Sequence, residues 1–262
     1  MVAPHDLTSR MPGFFEAWME DHRPLPAVTN MLVMRERADA AAGVQGAIQQ
    51  VALDHLVGLE IIEHMGGFPA AAAHIRSRVS ERPRVMSGDL GEILASEYIG
   101  QRTSFVVPVK RLRWKDDRDV TMRGNDVIAG REEGGRMQIL KAESKSRGNL
   151  SVSAVAEAIT GLGKHSGRPN PSSLAFISHL LRVLGRPAEA AQYEALQREA
   201  PAAQDIEHMV FTFSGNDPTE HLAAHAAAPD GTPLRHLVGC VVPDHQSFIR
   251  RTFLAINVPV QQ

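Results

Sequence analysis

The chain has 262 residues, of which 43% are hydrophobic and 22% are charged, and its formal net charge is −2. This composition is ordinary for a folded globular protein and excludes a disordered chain. A net charge near zero gives no overall attraction to nucleic acid, so nucleic-acid binding would need a local basic patch or a partner. No apolar run approaches the roughly 20 residues of a membrane span, and no signal peptide is evident, so we expect a cytoplasmic protein without membrane contact.

The first part of the chain, residues 1–86, is predicted to be mostly helical. A short helix is expected at 14–19, a long amphipathic helix at 37–65 and another helix at 69–79. In the long helix, apolar residues recur in steps of three and four, and His55 takes one place on that stripe as a packing residue. We place a domain boundary at residue 86.

The second part, residues 87–262, is predicted to be an α/β domain. It begins with a short helix at 88–100, for which Ser87 is a plausible N-cap. Three strand candidates follow as an antiparallel meander, at 104–113, 122–129 and 136–145. The remaining elements are helices at 151–163, 172–184, 187–198, 218–227 and 245–254, and strands at 207–213 and 235–242. Together they predict a mixed sheet flanked by helices, with Cys240 in its core.

A possible catalytic site lies at the end of the third strand candidate. Glu143 and Lys145 are two residues apart, and side chains with that spacing point to the same face of a strand. Asp126 belongs to the neighbouring strand candidate, so its carboxylate is expected beside that of Glu143. Two converging carboxylates favour a hard divalent cation, Mg²⁺ or Mn²⁺, which serves phosphodiester hydrolysis. Glu92, from the preceding helix, would hold a metal-bound water or a second ion.

This order of residues resembles the PD-(D/E)XK nuclease superfamily, although Asn125 stands where that motif usually has a proline. A narrower resemblance joins three segments: GDLGEIL (88–94), PVKRLRWKDDRDVTMRGNDVIAG (108–130) and ILKAESK (139–145). They look like the nuclease subunit of the Hachiman anti-phage defence system. The matching residues are Gly88, Gly91, Glu92, Pro108, Val109, Lys110, Lys115, Asp116, Gly124, Asp126, Glu143 and Lys145.

The resemblance implies a PD-(D/E)XK restriction-endonuclease-like core at 87–262, with the N-terminal helices beside it. It implies Mg²⁺-dependent cleavage of DNA, with Glu92, Asp126, Glu143 and Lys145 as catalytic residues and the three acids as metal ligands. It also implies a helicase partner that holds the nuclease in check, so we expect a heterodimer.

The basic residues are distributed unevenly. Lysine and arginine total 28, but only five of these are lysines, and all five lie between 110 and 164. Four cations near the predicted site could follow a DNA backbone: Lys110, Arg113, Lys115 and Arg123. Five basic residues of this region form a run that alternates with apolar residues: Lys110, Arg111, Arg113, Lys115 and Arg118. A charge run of this kind could follow a phosphate backbone but is about as often a solvated strand edge.

Other interpretations remain open at this point. Glu143 and Lys145 could form an ordinary exposed charge pair, and Asp89 or Glu97 could replace Glu92 in the site. The protein could be a stand-alone restriction or repair endonuclease, or a non-catalytic nuclease-like module that senses nucleic acid or acts as a scaffold. His221 and His225 are one helical turn apart, but a solvated helix face is the simpler interpretation.

Overall fold

The fold is described from a computed structural model, which covers residues 13–40, 42–65, 68–120, 122–227 and 231–257. The helices in these ranges are α1 (Phe14–Trp18), α2 (Ala42–Leu56), α3 (Leu59–His64), α4 (Phe68–Arg78), α5 (Pro83–Arg102), α6 (Val152–Gly163), α7 (Pro171–Val183), α8 (Pro187–Arg198), α9 (Thr219–Ala223) and α10 (His245–Asn257). The strands are β1 (Met19–His22), β2 (Met31–Glu36), β3 (Val127–Glu133), β4 (Arg136–Arg147), β5 (Ile206–Ser214) and β6 (Leu234–Val241). Short 3₁₀ helices lie at Arg111–Trp114 and Ala203–Asp205. None of the described helices is long and apolar enough to cross a membrane.

The strands form one mixed sheet in the order β1-β2-β6-β5-β4-β3. The four central strands, β2, β6, β5 and β4, run parallel, while β1 and β3 each pair antiparallel with their neighbour. Helices cover both faces, as a parallel sheet requires when both faces are buried. The predicted α/β class, with a mixed sheet flanked by helices, is therefore confirmed.

Alternate residues of β5 show how the core is divided. Met209, Phe211 and Phe213 pack on one face, in a cluster with α1, α2, α5 and α10. Val210 points to the other face and packs with residues of α6. This alternation follows from the two-residue period of a strand, and it places α5 and α6 on opposite sides of β4.

The N-terminal region contains the predicted helices and also contributes strands β1 and β2. The sequence prediction missed both strands, and β2 pairs directly with β6. The sheet thus draws strands from both sides of residue 86, and the domain boundary placed there stays a prediction.

The predicted long helix at 37–65 is two helices, α2 and α3. The break falls at Gly58, whose φ is 88°. A positive φ interrupts a right-handed helix and is least costly for glycine. His55, just before the break, is buried and contacts Glu97 Oε1 through Nε2 at 2.8 Å, so its packing role is confirmed.

The strand predicted at 104–113 is wrong. Only Val106 pairs, as an isolated bridge with Gly130, and the segment then turns into the 3₁₀ helix at Arg111–Trp114. Pro108 has no N–H to donate to a strand ladder. The second strand candidate likewise begins at Val127, not at 122, so the three-stranded meander is reduced to the β3–β4 hairpin.

Helix α5 begins earlier than predicted, at Pro83. Proline suits the first helical position because the missing N–H has no partner there. Ser87 is therefore not an N-cap. It lies inside the helix, buried, with its hydroxyl 2.8 Å from that of Ser146 on β4.

Candidate active site

Strand β4 presents Glu143 and Lys145 on the face that is covered by α6. A Cβ atom added at Gly161 of α6 would lie 3.0 Å from Glu143 Oε2, so a glycine gives this carboxylate room. Lys141 lies on the same strand face and is fully buried. Its Nζ donates hydrogen bonds to backbone carbonyls near the end of α6, those of Gly161, Leu162, Lys164 and Arg168. Lys141 therefore fixes the end of α6 that borders Glu143.

Asp126 lies immediately before β3, beside β4. Its Oδ2 accepts a hydrogen bond from the backbone N–H of Ser144 at 2.9 Å, which holds the carboxylate next to Glu143. Burial, together with repulsion from Asp126, raises the pKa of Glu143 to about 7. Two neighbouring carboxylates in a poorly solvated place bind a proton or a cation more readily than isolated ones do.

Glu92 of α5 lies near Asp126. Its side chain is buried, and burial raises its pKa to about 7 against the opposing effect of Arg111. Arg111 donates two hydrogen bonds to it, from Nε to Oε1 at 2.5 Å and from Nη2 to Oε2 at 3.0 Å. Asp126 is close enough for its charge to raise the pKa of Glu92 further.

The alternatives to Glu92 are engaged elsewhere. Asp89 accepts hydrogen bonds from the buried ammonium of Lys115 at 2.9 and 3.1 Å. Glu97 contacts His55, as described above, and accepts a hydrogen bond from Gln101. Of the three acids considered on α5, Glu92 is the one that contacts Arg111.

Arg111 is the site residue that sequence reasoning missed. Its Nη2 lies 3.9 Å from Asp126 Oδ1, in addition to its two bonds with Glu92, and the charge of Glu143 also acts on it. The sequence placed it in a basic run but not in the site. A signal was available, because three converging carboxylates need more positive charge than Lys145 alone provides.

Lys145 makes weaker contacts than Arg111, the other cation of the site. Its Nζ lies 3.8 Å from Oε2 of Glu157, a glutamate that is 65% exposed, so this ion pair is weak. Its charge lowers the pKa of Glu143. Lys145 is thus positioned to bind an anion that approaches Glu143.

Three of the four predicted DNA-binding cations are paired within the protein. Lys110 and Arg113 both bind the carboxylate of Asp54 on α2, and Lys115 is buried against Asp89. Arg123 is exposed, and its backbone carbonyl accepts a hydrogen bond from Arg111. The role of all four in DNA binding stays a prediction, and Arg123 is the one whose side chain is exposed to solvent.

A cavity of about 460 Å³ adjoins the site. Glu92, Arg111 and Asp126 form one part of its wall. Other parts come from the 107–112 and 122–125 segments, the start of β3 and the first half of α7, together with His55 and Ser96. A substrate that fills this cavity would therefore touch the acidic residues directly.

The side chains of the site offer few carboxylate ligands for a hard divalent cation. Within the described ranges, no group of three or more His, Cys, Asp or Glu side chains has the arrangement of a metal site. Asp126 and Glu143 remain as a carboxylate pair, and Mg²⁺ commonly uses one or two carboxylates while keeping several waters. Glu92, bound to Arg111, is less available as a direct ligand. The pair His221 and His225 is likewise in no such group.

The fold and the convergence of these side chains define an α/β protein with a nuclease-like core. A family model described as HamA matches residues 43–256, which is most of the chain. The chain therefore belongs to the HamA family, a family of Hachiman anti-phage defence proteins. It is also 33% identical over 103 residues to Hachiman protein HamA of Bacillus cereus. That match covers 39% of this chain and 36% of the relative, so it spans about a third of the relative's length. The resemblance inferred from residues 88–145 is confirmed.

Proposed function

We propose that this protein is a metal-dependent deoxyribonuclease that hydrolyses phosphodiester bonds. The observation that supports the proposal best is the pairing of Asp126 with Glu143 beside Lys145, with Glu92 of α5 near Asp126. Such an arrangement is costly to folding because buried like charges repel, and active sites commonly carry this kind of strain.

Each side chain has a defined part in this proposal. Asp126 and Glu143 would hold Mg²⁺ or Mn²⁺, which supplies a bound water of lowered pKa and stabilises negative charge on a phosphate. The Lys145 ammonium would donate a hydrogen bond to a phosphate oxygen or orient the attacking water. Glu92 would accept a hydrogen bond from a water of the site, while Arg111 neutralises the excess negative charge.

The experiment is cleavage of supercoiled plasmid with and without Mg²⁺. Glu143→Gln and Lys145→Gln should each lower the rate at least a hundredfold, as the loss of one group that stabilises the transition state does. Matched controls are Glu132→Gln on β3 and Lys164→Gln after α6, which change exposed residues of the same types. Loss of cleavage in the controls as well, or cleavage without added metal in the presence of a chelator, would contradict the proposal.

We also propose that the protein is the effector of a Hachiman defence pair and that a helicase holds it in check. Family membership supports this, as does the charge distribution: the net charge is −2, and Lys110, Arg113 and Lys115 are neutralised internally. Delivery to DNA by a partner would compensate for weak attraction of its own. The test is co-purification with the product of a neighbouring helicase gene, followed by plasmid cleavage by the complex and by the free chain. An intact complex that cuts as fast as the free chain would refute the proposal that the helicase restrains cleavage.

One observation favours a second candidate, a non-catalytic module that senses nucleic acid. The two hydrogen bonds between Arg111 and Glu92 close part of the site as an ordinary buried ion pair. Metal and DNA binding without any cleavage, alone or with an activated partner, would select this candidate.

A further inference from the structure

The cavity beside the acidic residues has two kinds of wall. Glu92, Arg111 and Asp126 form one part of the lining, and Asp126 is one of the two carboxylates proposed to hold the metal. The lining also contains apolar side chains, those of Val107, Val109, Ile128, Phe176 and Ile177, and polar ones such as Asn125 and Ser173. A phosphodiester bound beside Asp126 would thus have next to it a space of limited size with several apolar side chains in its wall.

The size and chemistry of this space suit a nucleobase. A volume of about 460 Å³ falls within the range of small-molecule pockets, roughly 300–1,000 Å³. Phe176 of α7 is half-buried, so one part of its ring is covered by the protein and another part is accessible from the cavity. Bases of single strands stack on aromatic side chains of this kind, whatever their sequence.

The polar side chains that line the cavity determine whether it could prefer one DNA base over another. Asn125 Oδ1 accepts from the N–H of Asn170, and Ser173 Oγ accepts from the N–H of Asn125. Asn170 Oδ1 in turn accepts from the N–H of Ser172. Because each of these acceptor atoms already receives a hydrogen bond within the protein, less of its capacity is left for the edge of one particular base.

We propose that this cavity receives one unpaired nucleobase of the strand being cut. The inference rests on the proposed nuclease function and names its substrate more closely: DNA with single-stranded or frayed segments, with little sequence preference. A base within a duplex would first have to leave the stack, at an energetic cost that an unpaired base avoids. Arg123, exposed at the rim of the cavity, would contact a phosphate of the same strand.

Binding can be tested separately from catalysis in the Glu143→Gln background. The probes are a fluorescent single-stranded oligonucleotide, its duplex, and an abasic single strand with the same phosphates, measured by anisotropy. We expect the normal single strand to bind more tightly than the abasic strand by roughly 5- to 150-fold, the ratio that corresponds to stacking of one base.

Variants of α7 test whether Phe176 causes the difference in affinity between the normal and abasic strands. Phe176→Leu keeps an apolar side chain, and so the fold, but removes the aromatic face. It should abolish most of the difference between the normal and abasic strands. Val183→Ala is the matched control, because it shortens an apolar side chain that is 61% exposed at the other end of the same helix. Thermal unfolding of both variants shows that they are folded.

Three outcomes decide the inference. A loss of discrimination in Phe176→Leu but not in Val183→Ala supports it. Equal affinity for normal and abasic strands, or equal effects of the two variants, overturns it. Plasmid cleavage by the otherwise unaltered protein is measured alongside. Cleavage without base discrimination would support the nuclease proposal and contradict the base pocket. Base discrimination without cleavage would support the base pocket and contradict the nuclease proposal.

Discussion

Replacement of Gly91 by alanine tests how closely α5 must approach β4. A Cβ atom at this position would lie 2.9 Å from Ser144 Oγ and 2.9 Å from the Cβ of Ser146. The first contact could be relieved by rotation of a hydroxyl, but the second involves an atom fixed to the backbone. The helix and the strand would therefore have to move apart, and Glu92, the next residue on α5, would move with the helix.

The magnitude follows from two opposing effects. Alanine is favoured over glycine inside a helix by about 1 kcal/mol. Overpacking a well-filled interface costs about 1–3 kcal/mol. We therefore expect Gly91→Ala to change the free energy of unfolding by between about zero and −2 kcal/mol. Gly88→Ala is the matched control on the same helix, because nothing lies within 4 Å of its added Cβ, and it should stabilise by up to about 1 kcal/mol.

The assay is urea unfolding of the three proteins, with metal-dependent plasmid cleavage as a second measurement. Gly91→Ala should lower cleavage, since it displaces Glu92, whereas Gly88→Ala should leave it unchanged. Equal stabilisation by the two substitutions would show that α5 does not depend on close contact at Gly91, and the reasoning about helix placement would fail.

Three further predictions concern buried charged and polar groups. Lys141→Met should lower the free energy of unfolding by about 2–3 kcal/mol in urea titrations, because it leaves carbonyls near the end of α6 without their charged donor; an effect below about 0.5 kcal/mol would contradict this. Arg111→Met should destabilise by about 3–5 kcal/mol, more at pH 8 than at pH 6, because it leaves Glu92 buried and unpaired; adding Glu92→Gln should recover part of the loss, and strictly additive effects would refute the pairing. His245 has a pKa lowered by burial to about 4, so the folded state resists its protonation, and this contribution to stability is present above about pH 6.5 and lost as the pH falls toward 4. The loss amounts to about 3 kcal/mol, and His245→Gln should flatten the pH dependence of unfolding by about that amount; an unchanged slope would refute the assignment.

The sequence predicted well those elements whose pattern is set by local periodicity. Helices α6, α7, α8 and α10 and strands β4, β5 and β6 all lie close to their predicted ranges. The pairing of Glu143 with Lys145 on one strand face also followed from spacing alone. These features depend on residues near each other in the chain, so tertiary contacts did not alter them.

The errors arose where tertiary contacts decide the structure. The apolar run from Phe105 to Val109 has strand-like composition, but apart from the bridge at Val106 it packs as an irregular segment, and Val107 and Val109 line the cavity. Strand β2 was overlooked because its partner, β6, lies about two hundred residues further along the chain. Neither outcome can be inferred from a period of two or 3.6 residues.

The need for a second cation could be inferred from the acidic residues, but which basic residue supplies it could not, for a related reason. Basic residues of the 110–115 segment look alike in the sequence, yet Lys110 and Arg113 bind Asp54 while Lys115 binds Asp89. Which cation turns toward the site depends on the 3₁₀ helix at Arg111–Trp114, which the sequence analysis had taken as strand. A strand would have placed alternate side chains on opposite faces, whereas the 3₁₀ turn directs Arg111 toward α5.

These ion pairs link the candidate site to the N-terminal helices. Asp54 at the end of α2 holds Lys110 and Arg113, the two neighbours within the turn that carries Arg111. Arg111 then contacts Glu92 and lies near Asp126, so the position of α2 and the neutralisation of the acids are mechanically connected. A partner that bound the N-terminal helices could therefore alter the acidic site without touching it, which is the kind of connection that restraint by a helicase would require.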